Sequence, residues 1–367
     1  MISRRLLAPL LGLTIAVAAA LPAGAVPPIH LPTSPGAAPA GPPVAMPKTA
    51  DACVTRALEV AKTGQWAQAE ALLREAVRLD PLNASAQFHL GIALFNRHLP
   101  AESEPHLREA IRLQPRNAEY LAGFGVTLAA QGKPGDAEPI FREAARIDPQ
   151  NANIQSDLGT ALFFQKKFTE AMPFFQAAIK LAPERPDPYN NAGRTLSALG
   201  KLPEAEAMQR SAVRLAPTNP QYQSNLGQVL FQEKRVDDAR ACVLEAARLA
   251  PNVSQYQLDA GVLLAGEKKY ADAEVYLRGA ARIEPANAGF QEMVGGILLS
   301  QQKFAEGEPF LREAIRLLDT QPMFHVNLAS DLLSQGRKDE ARIEAQRAKD
   351  LGLKTHPLFG QLGIATP

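Results

Sequence analysis

The sequence predicts an all-α chain, built as a solenoid of stacked helix pairs. Three observations carry this. A proline recurs every thirty-four residues, at Pro81, Pro115, Pro149, Pro183, Pro217, Pro251 and Pro285. Small residues stand in fixed columns between these prolines, and apolar residues recur beside them with helical spacing. A fixed period of this length marks one helical hairpin copied and stacked, each copy burying the face its neighbour leaves open.

Starts at 50, 84, 118, 152, 186, 220, 254, 288 and 322 place nine thirty-four-residue repeats over residues 50–355. The eighth position is small throughout, from Ala57, Gly91 and Gly125 to Ala329. The twentieth is small as well, and the twenty-seventh is alanine in all nine copies. Larger side chains in such columns would force the helices apart. The eleventh position is apolar from Val60 to Leu332. Asn83, Asn117, Asn151, Asn219 and Asn287 each sit two residues after a proline, where asparagine can cap the next helix. Pro186 and Pro220 suit a first helical turn. Gly64, Gly132, Gly200 and Gly336 mark the turn inside the hairpin. Pro105, Pro139, Pro173 and Pro309 are expected near the start of the second helix, where a missing N–H does least harm.

With Leu90-Gly91, Leu94, Leu107, Ala110 and Pro115 in view, the chain resembles the tetratricopeptide repeat (TPR) family over about five-sixths of its length. Most repeats depart from it at the fourth position, with glutamine where the family often has tryptophan. Gln209 stands in an apolar column, and Asp319 and Leu353 replace the closing proline of the last two repeats, so the C-terminal end is expected to be less regular. The resemblance implies a right-handed superhelical solenoid of antiparallel helix pairs. Its first helices would line a concave groove, where positions two, five, six, nine, twelve and thirteen meet the ligand.

Formal charge is +1, and −1 without Arg4 and Arg5, which argues against a general nucleic-acid binder. A basic column at position twenty-nine, from Arg78 to Arg316, reads as a solvated convex face. Glu70, Glu104, Glu138, Glu206, Glu274 and Glu308 each precede an arginine of the same helix by four residues, a weak surface pairing. Residues 1–25 combine Arg4-Arg5, an apolar run from Leu6 to Leu21 and a small-residue site, the pattern of a signal peptide cleaved after Ala25. The chain is therefore expected to be exported, periplasmic or secreted, in a bacterium, with no membrane span in the mature chain. Residues 26–49 carry eight prolines and read as a tether. Residues 356–367 form a tail whose Leu358, Phe359, Leu362 and Ile364 are expected to cap the last repeat. Cys53 and Cys242 lie five repeats apart and are expected to be free thiols, and the six histidines form no ligand pair.

No nucleophile elbow, phosphate loop, dinucleotide turn, HExxH or paired CxxC is present, so no enzyme, cofactor or metal is expected. Function is then sought on the inner face. The sixth position reads Thr55, His89, Gly123, Asp157, Asn191, Asn225, Asp259, Met293 and Asn327. Asparagine offers both donor and acceptor to an extended backbone. The row is similar to the asparagine ladder in the repeat region of the O-linked N-acetylglucosamine transferases, through Asn191, Asn225 and Asn327, with Asp157 and Asp259 as acceptor-only variants. Alternate repeats match more closely, a sixty-eight-residue period that sets Phe95, Phe163 and Phe231 along the groove as apolar pegs or as packing rings. Arg194 completes the candidate peptide-binding set. The reading is a scaffold that binds an extended peptide or partner protein. The alternative is a structural subunit of a bacterial envelope complex, for polysaccharide export, secretion or outer-membrane assembly. A third option is an anion or glycan binder using the basic column.

Overall fold

The computed structural model describes residues 47–365, so the expected leader and most of the expected tether lie outside the described residues. The described chain is helices and turns without a strand, and none of its helices is long and apolar enough to cross a membrane. It divides into two compact units between Leu215 and Ala216.

The first unit holds α1 (Ala50–Ala61), α2 (Trp66–Leu79), α3 (Ala84–Asn96), α4 (Pro100–Leu113), α5 (Ala118–Ala130), α6 (Pro134–Ile147), α7 (Ala152–Phe164), α8 (Phe168–Leu181), α9 (Pro186–Ala198) and α10 (Leu202–Leu215). Each odd-numbered helix packs on the even-numbered helix of its own repeat, and α2, α4, α6 and α8 each pack on the helix that follows. Within this unit α1 also touches α3, α3 touches α5, α5 touches α7 and α7 touches α9. The second helices do not approach one another as closely, so the first helices form the inner face.

The second unit holds α11 (Pro220–Gln232), α12 (Val236–Leu249), α13 (Ser254–Gly266), α14 (Tyr270–Ile283), α15 (Ala288–Ser300), α16 (Phe304–Leu317), α17 (Pro322–Ser334), α18 (Lys338–Asp350) and the short α19 (Pro357–Gln361). It repeats the same pairing. Leu358, Phe359, Leu362 and Ile364 are buried against α17 and α18 beside Leu328, Leu332 and Ala345, which caps the last apolar face. Despite Asp319 and Leu353, α17 and α18 keep the regular helix pair.

Local chemistry explains the repeat. Asn83, Asn117, Asn151, Asn219 and Asn287 accept backbone N–H groups of the first turn of α3, α5, α7, α11 and α15. Position fifteen turns the chain with a left-handed backbone in all nine copies. Glycine supplies it at Gly64, Gly132, Gly200 and Gly336 with φ of 75–81°, and His98, Lys166, Lys234, Lys268 and Gln302 adopt the same region with φ of 60–64°. The eighth-position glycines receive the residue at position twenty-four. A Cβ on Gly91 would lie 2.6 Å from Leu107, and one on Gly159 2.8 Å from Phe175. Gln209 fills the same slot over Gly193, fully buried, with its Nε2 donating to the Asn190 carbonyl at 3.1 Å. Pro105, Pro139, Pro173 and Pro309 lie inside α4, α6, α8 and α16, at the sixth residue and not in the first turn as expected, so each leaves one helical carbonyl without its N–H.

The fourth position closes most repeats onto the turn before, the exceptions being Leu121 and Tyr189. The Nε2 groups of Gln87, Gln155 and Gln291 donate to the carbonyls of Pro81, Pro149 and Pro285 at 2.9–3.0 Å. Gln223 and Gln257 reach Pro217 and Pro251 at 3.3 Å. Where the proline is replaced, His325 Nε2 donates to the Asp319 carbonyl at 3.0 Å while its Nδ1 lies 2.7 Å from Glu344. At the first repeat the Cys53 thiol lies 3.5 Å from the Pro47 carbonyl. Neither Cys53 nor Cys242 forms a disulfide among the described residues.

The glutamates at position twenty-one do more than the surface pairing expected of them. They do meet the arginine four residues on, as Glu104 meets Arg108 and Glu138 meets Arg142. Their side chains are also largely buried and accept bonds from the next repeat. Glu138 takes Gln165 and Lys167 at 2.8 Å each, and Glu274 takes Gln301 at 2.8 Å and Lys303 at 2.9 Å. Burial alone would raise the Glu138 pKa, but the bonds from Lys167, Arg142 and Gln165 outweigh it and hold the group at about 2. Asp331 is the opposite case. It is fully buried where other repeats carry mostly apolar or small residues, and its Oδ1 has no hydrogen-bond partner among the described residues. Burial drives its pKa up to about 6, against the bond from Gln335.

These two groups give opposite pH dependences. Glu138 has a folded pKa below its ordinary 4.5, so its contribution is present above that value and is lost as pH falls towards about 2. Asp331 has a folded pKa above its ordinary 3.8, so stability falls as pH rises from about 4 to about 6. Asp331→Asn should therefore raise stability at pH 7 by roughly 2–3 kcal/mol and flatten that window, read by thermal melts across pH. Glu138→Gln should remove part of the loss below pH 4.5. Separately, Gln155→Leu should cost about 1 kcal/mol, and hydrogen exchange should localise the loosening to the Pro149 turn.

Candidate functional site

The inner-face row supplies real geometry in the first unit. His89, Gly123 and Asp157, on α3, α5 and α7, line one cavity of about 490 Å³. On α5 the walls are Glu119, Ala122, Gly123 and Val126, which are positions two, five, six and nine of that repeat. Helical spacing puts these four on one face. Phe88 and Ile92 of α3 form the apolar side, and Lys62 stands at the α1 end. Phe88 is buried because its ring stacks on Tyr120, with centroids 4.5 Å apart. Gly123 permits this approach, since a Cβ there would lie 2.7 Å from the Phe88 ring. The His89 imidazole packs edge-on to Phe88 at 5.1 Å, and burial lowers its pKa, which keeps it neutral near pH 7. Asp157 is buried at the far wall.

A second group gathers on α7 and α9. The Asn191 amide donates to Thr160 Oγ1 at 3.4 Å and accepts from Asn190 Nδ2 at 3.3 Å. The Arg194 guanidinium lies over the Phe163 ring, 4.8 Å from its centroid. Phe163 also packs against Phe164 and Phe168. Phe95 stands apart from both groups, half-buried against the core cluster that contains Leu107 and Phe124.

In the second unit the sequence-derived residues form smaller groups. Phe231 and Asp259 border a cavity of about 40 Å³ with Val243 and Val262. Asp259 accepts from Gln255 at 2.7 Å, yet burial pushes its carboxyl above the usual range. Asn225 and Asn327 are buried, and Asn327 donates to Glu292, whose pKa burial also raises. The phenylalanine pegs thus pack while keeping part of their surface in contact with solvent.

The sequence reading missed His89 as a cavity wall, together with Phe88, Ile92, Glu119 and Glu292. Their signal was present: each occupies position two, five, six or nine of a first helix. Most of the basic column is bound up in bidentate pairs on the second helices, as in Arg112 with Glu109 and Arg146 with Glu143 at 2.7–2.8 Å. Arg78, Arg248 and Arg316 meet a glutamate three residues earlier in the same way, whereas Lys180, Arg214 and Arg282 have no acid at that place.

The sequence matches the family described as Tetratricopeptide repeat over residues 54–118, 94–152, 123–186 and 190–254, more than half of the chain. No curated protein matches it significantly. Among solved structures it is similar to PilF of Pseudomonas aeruginosa, at 23% identity over 57% of this chain and 95% of that one, with a TM-score of 0.50. Yeast Tom70 shares 18% identity over 83% of this chain and 67% of its own, with a TM-score of 0.53. The human IFIT1 dimer solved with m7Gppp-AAAA shares 16% identity over 83% and 72%, with a TM-score of 0.54. At these identities the likeness is one of fold.

The cavity makes a direct prediction. His89 should titrate below the ordinary imidazole value of 6.5 in an NMR pH titration. A His89 value at or above 6.5 would show that the imidazole is not desolvated.

Proposed function

Since the chain belongs to the tetratricopeptide repeat family, whose members generally mediate protein–protein interactions, we propose that it is a non-enzymatic scaffold holding an extended segment of a partner protein against its first helices. The cavity of about 490 Å³, walled by positions two, five, six and nine, is the observation that carries this reading. Its apolar wall at Phe88 and Ile92 would take a hydrophobic side chain of the partner. His89, Glu119 and Asp157 would orient the backbone beside it. First helices stacked about 10 Å apart let an extended strand advance around three residues per repeat.

The leader pattern of residues 1–25 favours a second reading, a subunit of a bacterial envelope complex. In it the protein is exported, and the scaffold role is exercised outside the cytoplasm. Amino-terminal sequencing of the protein from a periplasmic fraction, starting at Val26, would support export.

Ala122→Trp fills the cavity from α5 without touching the Phe88–Tyr120 stack. It should reduce capture of the partner from native extract at least tenfold relative to the parent chain, with an unchanged helical spectrum. Asn191→Ala with Asn225→Ala should weaken capture less, because both amides are already largely buried. Capture unchanged by Ala122→Trp removes the groove from consideration.

A further inference from the structure

We propose that Arg194 and Asn191 form an anion-binding subsite on the inner face of the first unit, which takes an acidic side chain of the bound segment. The inference rests on the groove reading above and adds the chemistry of one residue of the ligand. Most other arginines in this unit meet carboxylates closely, as Arg78 does Glu75 at 2.6 Å and Arg142 does Glu138 at 2.8 Å. Arg194 forms no ion pair or hydrogen bond among the described residues, and its one contact of that kind is the Phe163 ring. It is half-buried, and desolvation lowers its pKa with no carboxylate to oppose the shift. A desolvated guanidinium without a counter-charge is costly, and a ligand carboxylate removes that cost.

The surroundings fit such a ligand. A guanidinium lying over an aromatic ring keeps its N–H fork, which lies in its own plane, free for bidentate contact with a carboxylate. Asn191 stands one turn before Arg194 on α9, so the two side chains share a face. The Asn191 amide nitrogen carries two hydrogens, and a long 3.4 Å contact to Thr160 engages one of them. Thr160 donates its own hydroxyl to the Ser156 carbonyl at 2.9 Å, so it accepts from Asn191 and does not compete for the anion. The nearest groove-face acids in the sequence, Asp157 and Asp187, have interactions of their own. Together Thr160, Phe163, Phe175, Asn191 and Arg194 line one small depression.

The test uses random peptides displayed as internal segments, without a free C-terminus, selected on the full chain. The selected peptides should share an Asp or Glu at one fixed position. Changing that acid to its amide in synthetic, C-terminally amidated peptides should weaken binding about tenfold or more. On Arg194→Met the acid and the amide should bind alike, while Arg194→Lys keeps part of the preference. Thermal melts establish that the variants fold. Should Arg194→Met not fold, Asn191→Ala and the loss of the acid preference in high salt on the parent chain serve in its place. Peptides that bind without a fixed acid overturn the subsite and leave the groove standing. An acid preference that survives Arg194→Met, or a requirement met only by a free C-terminal carboxylate, also overturns it. A chain that selects no peptide at all removes both the subsite and the groove reading beneath it.

Discussion

The hydrogen bond from position four to the closing-turn carbonyl holds the rest in place. Each repeat ends on a turn whose carbonyl leaves the helical ladder, and a buried carbonyl must find a donor. Gln87, Gln155 and Gln291 provide it from the first helix of the next repeat, six residues on. One bond thereby fixes where a first helix starts relative to the helix before it. On α3 the Gln87 bond fixes the register of Phe88, and a shift of one residue would rotate that ring away from Gly123 and change the cavity wall. The bond is defined by its donor and not by residue type. Glutamine makes it most often, and His325 makes it where Asp319 takes the place of proline.

Much of this architecture was legible in the chain. The asparagine caps and the hairpin glycines lie where local chemistry put them, because each depends on neighbours within a few residues, and the apolar tail lies where the open face of the last repeat needs cover. What the column pattern did not show is set by distant partners. Lys166 and Lys268 adopt the left-handed turn that glycine signals elsewhere, since the stacked helices on either side fix that backbone. The inter-repeat role of Glu138 depends on Gln165 and Lys167, nearly one full repeat away. The candidate site divides in the same manner. Periodicity identified Asp157 and Asn191 as inner-face residues. The enclosure of His89 and the isolation of Arg194 depend on which rings pack beside them, and no spacing rule reveals that.

The charged residues sort by where their compensation lies. On the second helices most arginines are answered within a turn, as in Arg112 with Glu109, which balances much of that surface locally. Between repeats, partly buried glutamates collect several donors and stay ionised deep into acid. On the inner face the compensation is incomplete, at Arg194 in the first unit and at Asp259 and Glu292 in the second. Uncompensated groups of both signs at groove positions are where a partner's own charges would be discriminated.

The joint between positions twenty-one and fourteen has one more property. Glu70 meets Arg97 there, whereas Arg240 meets Glu267, the same contact with its polarity reversed. Modules that look interchangeable by their columns are therefore keyed. The α3–α4 hairpin, moved to stand after α12, would bring Arg97 against Arg240 at this joint. Near-identical tandem units risk pairing out of order as they fold, and a reversed key makes some wrong neighbours repel. The array has an order as well as a period.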